Sequence, residues 1–404
     1  MNIPKLRFKD NNGNDYPQWE KKKLGDIGNI ISGGTPSSSN KEYWNGHINW
    51  FTPSEVGKTK FVSESIRKIT EKGLKNSSAK LLPKGTILLS SRATIGEKSI
   101  LLNSATTNQG FQSIITNNEA INEFIYYYID TLKSELIKQS SGSTFLEISN
   151  TILKKLKIYI PNLQEQEKIA NFLSTVDKKI ENLANTITSL ENQKKGLLQQ
   201  IFSQKLRFKD KNGNNYPNWE KKKLGDICKF TGGGTPSTSI LKYWNGTIPW
   251  ISSSDLQTNT IHKIKISRYI TNEAVSNSST KIIPKNSILI VSRVGVGKVA
   301  ISNCVLCTSQ DFTNITEING NTTFYAYLLK YKMEQLTQNT QGTSIKGITT
   351  SDIKNIKLIV PIEQTEQTKI ADFLSAFDRK LDNQKAQLEH WQQIKKGLLQ
   401  QMFV

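Results

Sequence analysis

The best candidates for chemistry in this chain are two glycine-rich turns, Gly33-Gly34-Thr35-Pro36 and Gly232-Gly233-Gly234-Thr235-Pro236. Such runs offer backbone N–H groups, hydroxyls and a fixed bend, all suited to phosphate oxygens. Neither is a nucleotide loop of the GxxxxGK[ST] kind, because no Lys-Ser/Thr pair follows. Gly295-Val296-Gly297-Lys298-Val299 comes nearer but lacks the hydroxyl that would hold magnesium, and Thr94-Ile95-Gly96-Glu97-Lys98 has no phosphate pattern at all. A tight turn after a strand accounts for both. Cys304-Val305-Leu306-Cys307 has metal-like spacing. Zinc takes about four ligands, and with no second CxxC and no nearby histidine the expectation is apolar strand residues, Cys228 included, and no metal site.

The chain is written twice. Residues 6–27 read LRFKDNNGNDYPQWEKKKLGDI and residues 206–227 read LRFKDKNGNNYPNWEKKKLGDI. Tyr43-Trp44-Asn45-Gly46 returns as Tyr243-Trp244-Asn245-Gly246, Ser91-Arg92 as Ser292-Arg293, and KKGLLQQIF (194–202) as KKGLLQQMF (395–403). The intervening stretches diverge. His47, His262 and His390 do not fall at matching positions, so the copies share no histidine mechanism. No Asn-Pro-Pro-aromatic methyl-transfer pattern is present, nor acid pairs with a repeated partner. The expectation is a chain that binds rather than reacts.

What the copies share in their loops suits contact with a polynucleotide. Thr35, Ser37, Ser54, Arg92, Thr94, Gln109, Ser143 and Thr144 form the predicted contact set of the first copy. Thr235, Ser237, Ser253, Ser254, Arg293, Gln310, Thr343 and Ser344 form that of the second. Arg92 and Arg293 follow apolar strands, where a guanidinium can reach a phosphate or, bidentately, a guanine edge. Trp44, Trp50, Trp244 and Trp250 read as residues that hold the shared fold.

Charge supports the same partner. The 404 residues carry 54 Lys+Arg against 34 Asp+Glu, a net charge of +20. There are 27 basic and 19 acidic residues up to residue 203, and 27 and 15 after it. Both halves are basic, which favours a polyanion, nucleic acid first; a plain solubility charge is the alternative. No apolar signal segment opens the chain and no run nears the ~20 apolar residues of a membrane span. A cytoplasmic protein with no membrane contact is expected.

Each copy has three parts. A start module with Asn-Gly and Tyr-Pro turns leads into a short amphipathic stretch. A mixed region follows, with buried-strand runs at 85–90 and 287–292 and helical stretches at 121–139 and 322–338. The third part is a long helix. Ile169, Leu173, Val176, Ile180, Leu183, Ile187, Leu190, Lys194, Leu197 and Ile201 step alternately by four and three. Ile370, Leu374, Phe377, Leu381, Gln384, Leu388, Trp391, Lys395, Leu398 and Met402 repeat the ladder. Such stepping over more than four heptads predicts a coiled-coil seam interrupted in each copy by the same lysine. At ~1.5 Å per residue each helix reaches roughly 57 Å, a spacer. The repeat is also circular, since LLQQIF runs on into QKLRFKD while the chain ends at LLQQMFV. Antiparallel helices would bring the two chain ends close.

The order of these elements resembles the specificity subunit of type I restriction–modification systems. The resemblance is carried by the tandem GGTPS turns, SSRATIG and VSRVGVG, the helix starts PNLQEQEKIANFLS and PIEQTEQTKIADFLS, and the KKGLLQQ(I/M)F helix ends. It implies an α+β protein with two pseudo-twofold-related target-recognition domains, joined by two long antiparallel helices forming a coiled coil. The domains are expected at residues 1–160 and 204–361, and the spacer helices at 161–203 and 362–404. The implied function is to read a split, asymmetric sequence in double-stranded DNA without catalysis. Two methyltransferase subunits and two motor-nuclease subunits are the implied partners, and S-adenosylmethionine, ATP and magnesium would bind to them alone. A coiled-coil tether with no DNA role is the competing reading.

Overall fold

The computed structural model describes residues 4–92, 94–141, 146–338 and 347–404. The chain forms two compact units, Met1–Ala184 with Ala386–Val404, and Asn185–Lys385. Each unit therefore takes a part of both long helices.

The first unit contains three sheets among its described residues. β1 (Glu20–Lys23) pairs antiparallel with β10 (Lys157–Ile160). A five-stranded sheet has the order β2 (Gly28–Ser32), β9 (Gln112–Thr116), β6 (Ile87–Leu89), β7 (Lys98–Leu101), β4 (Phe61–Val62). A three-stranded sheet places β3 (Trp44–Phe51) between β5 (Arg67–Ile69) and β8 (Thr106–Thr107). Ile87, Leu88 and Leu89 are all buried, as an apolar run covered on both faces must be. Helix α1 (Asn122–Lys138) buries Phe124, Tyr128, Leu132 and Leu136 at helical spacing.

The second unit repeats this plan. β11 (Glu220–Lys223) pairs with β20 (Lys357–Val360). One four-stranded sheet runs β12 (Cys228–Gly232), β19 (Phe312–Ile318), β16 (Ile288–Val291), β17 (Val299–Ile301). The other runs β14 (Arg268–Ile270), β13 (Ile248–Ile251), β18 (Leu306–Thr308), β15 (Ile282–Ile283). α3 (Thr322–Gln338) replaces α1. The EKKK stretches, read as amphipathic, are strands that tie the start of each mixed region to its end. Cys307 lies buried in β18, but Cys304 sits in the bend before it. Burial pushes the Cys307 thiol up to about 11.

The long helices are α2 (Leu163–Phe202) and α4 (Gln364–Met402). Within the first unit, Lys395 Nζ lies 2.7 Å from Asp177 Oδ1. Within the second, Lys194 pairs with Asp378, and Lys385 Nζ lies 2.6 Å from Glu191 Oε1. In the second unit positions rise along one helix as they fall along the other, so the segments pair antiparallel there. Each seam lysine meets an aspartate of the other helix, and the two aspartates are themselves repeat counterparts. Tyr127 Oη donates to Asp177 Oδ2 at 2.7 Å, and Tyr327 Oη to Asp378 Oδ2 at 2.7 Å, fixing α1 and α3 to the helix pair.

The seam differs in detail from the simple ladder. Val176, Leu183, Ile187, Leu190 and Leu381 are buried, whereas Ile180, Phe377, Leu388 and Trp391 are half-buried. Two helices alone cover only part of a large side chain. Ile169, Leu173, Ile370 and Leu374 are fully buried because they lie within the globular cores. At the far end of α2, Leu198 rather than Leu197 is buried, since the helix turns that face to the second core.

The start modules are anchored by a buried glutamate. Arg7 Nε and Nη2 donate to Glu165 at 2.9 and 2.7 Å, and Trp19 Nε1 donates to Glu165 Oε2 at 3.2 Å. Arg207, Trp219 and Glu366 repeat the cluster. A buried carboxylate needs such a bidentate partner to offset its lost hydration.

Candidate nucleic-acid interface

Backbone hydrogen bonds gather the predicted contact loops of the first unit into one cluster. Gly34 N–H donates to the Thr107 carbonyl at 2.8 Å, and Asn108 N–H to the Phe51 carbonyl at 3.0 Å. Ser91 N–H donates to the Gly110 carbonyl at 2.8 Å, and Ile148 N–H to the Ser91 carbonyl at 3.1 Å. The second unit makes the same bonds: Gly234 to Thr308 (2.8 Å), Ser309 to Ile251 (2.9 Å), Ser292 to Asp311 (2.8 Å) and Ile348 to Ser292 (2.7 Å). Five segments far apart in sequence thus meet at one place in each unit.

The glycine turn is built for close approach. A Cβ on Gly33 would run into the Asn108 carbonyl, and one on Gly34 into the Ser78–Ala79 backbone; Gly233 and Gly234 are confined in the same way. The tryptophans clamp it. Trp50 Nε1 donates to the Gly34 carbonyl at 2.9 Å and Trp44 Nε1 to the Ser37 carbonyl at 3.1 Å, with the rings edge to face at 5.1 Å. Trp250 and Trp244 repeat this with rings at 5.0 Å. These glycines and tryptophans therefore hold the turn.

The predicted contacts occupy the cluster unequally. Thr35 donates to Gln109, and Thr235 to Gln310, joining two loops in each unit. Ser37 pairs with Ser39 at 2.8 Å and Ser237 with Ser239 at 2.7 Å, on the exposed side of the turn. Ser54 and Thr52 hydroxyls lie 3.1 Å apart, and those of Ser254 and Ser252 2.9 Å. Thr94 is exposed and shares a hydrogen bond with Ser90 at 3.1 Å. Ser253 is buried, and its backbone carbonyl accepts from Lys298 Nζ at 2.8 Å. Arg92 Nε lies 2.9 Å from Glu147 Oε2, a charge contact whose angle makes no hydrogen bond. Arg293 is exposed. Ser143, Thr144, Thr343 and Ser344 lie outside the described residues.

Two cluster residues escaped sequence reading. Arg67 is the cross-strand partner of Trp50, and Arg268 of Trp250. The Arg67 guanidinium stacks 3.7 Å over the Trp44 ring, and that of Arg268 lies 4.6 Å from the Trp250 ring. Their recurrence at the spacing that links Arg92 to Arg293 was the available signal. Among the described residues no group of His, Cys, Asp and Glu is placed to hold a metal ion. None of the described helices is long and apolar enough to cross a membrane.

This geometry agrees with the comparisons. The model of the type I restriction modification DNA specificity domain matches residues 16–192 and again 216–390. The MjaIX specificity subunit of Methanocaldococcus jannaschii is 32% identical over 396 residues, covering 94% of this chain and 91% of that protein. The EcoR124I/EcoR124II specificity subunit of Escherichia coli is 34% identical over 176 residues, 42% of each chain. The S subunit structure from M. genitalium shares the fold with a TM-score of 0.60 at 18% identity, covering 100% of this chain and 99% of that one. A chain from a structural study of type I R-M complex assembly and conformational transition gives 0.62 at 17% identity, over 95% and 97%. With two family domains in tandem, the loop clusters above repeated in both and the long helices paired beside them, this chain belongs to the type I restriction–modification DNA specificity family.

Proposed function

We propose that this chain is the non-catalytic specificity subunit of a type I restriction–modification complex, reading one half of a bipartite, asymmetric DNA target with each unit. The observation that supports it best is the pair of equivalent loop clusters, alike in framework and different in the residues they present. Equivalent scaffolds with different surfaces suit two different half-sites. The basic excess of both halves supplies sequence-independent affinity for phosphates.

The long helices act as the spacer that fixes the gap between half-sites. They also carry the docking surfaces for two methyltransferase subunits, with two motor-nuclease subunits completing the restriction complex. S-adenosylmethionine, ATP and magnesium belong to those partners, in the cytoplasm. In this reading the recognition domains are residues 1–160 and 204–361.

The test is a domain exchange in a host expressing the chain with its methyltransferase. Replacing residues 1–160 by the corresponding segment of a relative should change one methylated half-site and spare the other. Simultaneous change of both half-sites would refute independent reading.

A further inference from the structure

The two matched arginine pairs at the loop clusters are neutralised in opposite fashion. In the first unit, Arg92 meets Glu147 while Arg67 is exposed and stacks on Trp44. In the second unit the roles reverse. Arg268 is held by Asp255 and by the Ser252 hydroxyl at 2.7 Å, while Arg293 stands exposed. Among the described residues, neither Arg67 nor Arg293 has an acidic partner.

Local chemistry explains the reversal. Asp255 has a short side chain that caps Ser252 and reaches Arg268 with the same oxygen. Its counterpart Glu55 spends one oxygen on Thr52 N–H at 2.8 Å and the other on Ile66 N–H at 2.7 Å, so Arg67 is left to the ring. On the other loop, the residue aligned with Glu147 is Gly347, at positive φ (116°), which offers Arg293 no carboxylate. Ile148 and Ile348 set that alignment, since both donate to the carbonyl of the serine before the arginine.

We infer that Arg67 in the first unit and Arg293 in the second are the specificity-determining DNA contacts, whereas Arg92 and Arg268 are braced by their acids. This rests on the DNA-reading function proposed above. An arginine already facing a carboxylate has its charge partly offset before it reaches a phosphate or a guanine edge. An arginine with no acid partner keeps its full donor fork for them. The two half-sites are then gripped from different elements, by strand β5 in one unit and by the loop after β16 in the other.

The test expresses the chain with its methyltransferase, maps methylated adenines, and titrates the purified chain with a duplex bearing the mapped target. Arg67→Ala should weaken binding roughly tenfold or more and loosen base choice in the half-site assigned to residues 1–160. Arg293→Ala should do the same at the other half-site. Arg92→Ala and Arg268→Ala should each cost less than about threefold, well under the loss of a direct base contact. Glu147→Gln, which frees Arg92 without removing it, should tighten binding and steepen the salt dependence by about one ion. Equal losses for both arginines of a unit would overturn the assignment. A wild-type chain that directs no bipartite methylation would instead overturn the DNA reading beneath it. Should Arg67→Ala abolish the melting transition of the chain, Glu147→Gln decides, and binding unchanged by that substitution counts against the proposal.

Discussion

The Leu6 N–H donates to the Gln401 carbonyl at 3.0 Å, and Leu206 N–H makes the same bond, also at 3.0 Å, to Gln200. In the second pair donor and acceptor are near neighbours in sequence; in the first they are separated by almost the whole sequence. Phe403 packs in the first unit, within 5.3 Å of Phe124, 5.2 Å of Tyr128 and 6.3 Å of Trp19, ring to ring.

Phe403→Ala should therefore destabilise the first unit by about 3 kcal/mol or more, the usual cost of emptying a core aromatic site. Phe202→Ala, at the half-buried counterpart, should cost less. Chemical denaturation of both variants checks this, and a loss at Phe403 no greater than that at Phe202 would contradict the prediction.

The two aspartate–lysine pairs across the long helices differ in burial. Lys194 and Asp378 side chains are 8% and 6% exposed, while Lys395 and Asp177 are each 24% exposed. Asp378→Ala leaves a buried ammonium without a partner and should cost ~3–5 kcal/mol. Asp177→Ala should cost closer to ~1 kcal/mol, because water reaches its lysine. Comparing the two in urea melts tests the prediction; a larger loss at Asp177 would contradict it.

His262 gives the second unit a dependence on pH. Its Nε2 lies 3.0 Å from Tyr327 Oη and 3.8 Å from Asp378 Oδ2. Burial lowers its pKa, aided by Lys194 and Arg379, against the opposing pull of Asp378 and Asp382. The folded unit therefore binds the proton less readily than the unfolded chain. The stability this residue contributes is present above its unfolded value of about 6.5 and is lost as pH falls through the lower folded value. Melting between pH 7.5 and 5 should show this slope, and His262→Gln should flatten it. A slope untouched by the substitution would place the titrating group elsewhere.

Insertions test the spacer. The start of α2 is a poor site, because Glu165 and Gln166 are buried there, the latter accepting from Ile121 N–H at 2.9 Å. Seven residues added after Ala184 and seven after Lys385 keep the seam in phase. They lengthen each helix by ~10.5 Å, or about three base pairs at ~3.4 Å each. Methylated sites should then show a gap about three base pairs longer with unchanged half-site letters. An unaltered gap would remove the helices from that role.

The sequence by itself determined the elements whose cause is local: the long helices from their 3-4 apolar stepping, the strand runs beside Ser91-Arg92 and Ser292-Arg293, and the doubling of the plan. It also placed the repeated glycine turns, because a repeat separates shared framework from divergent surface. Tertiary structure alone decided which loops meet, that Ser253 is buried, and that Lys194 answers Asp378. It alone showed that Glu147 lies against Arg92 while, among the described residues, nothing acidic lies against Arg293. Those outcomes depend on side-chain length and on contacts across tens to hundreds of residues, and periodicity carries no trace of them.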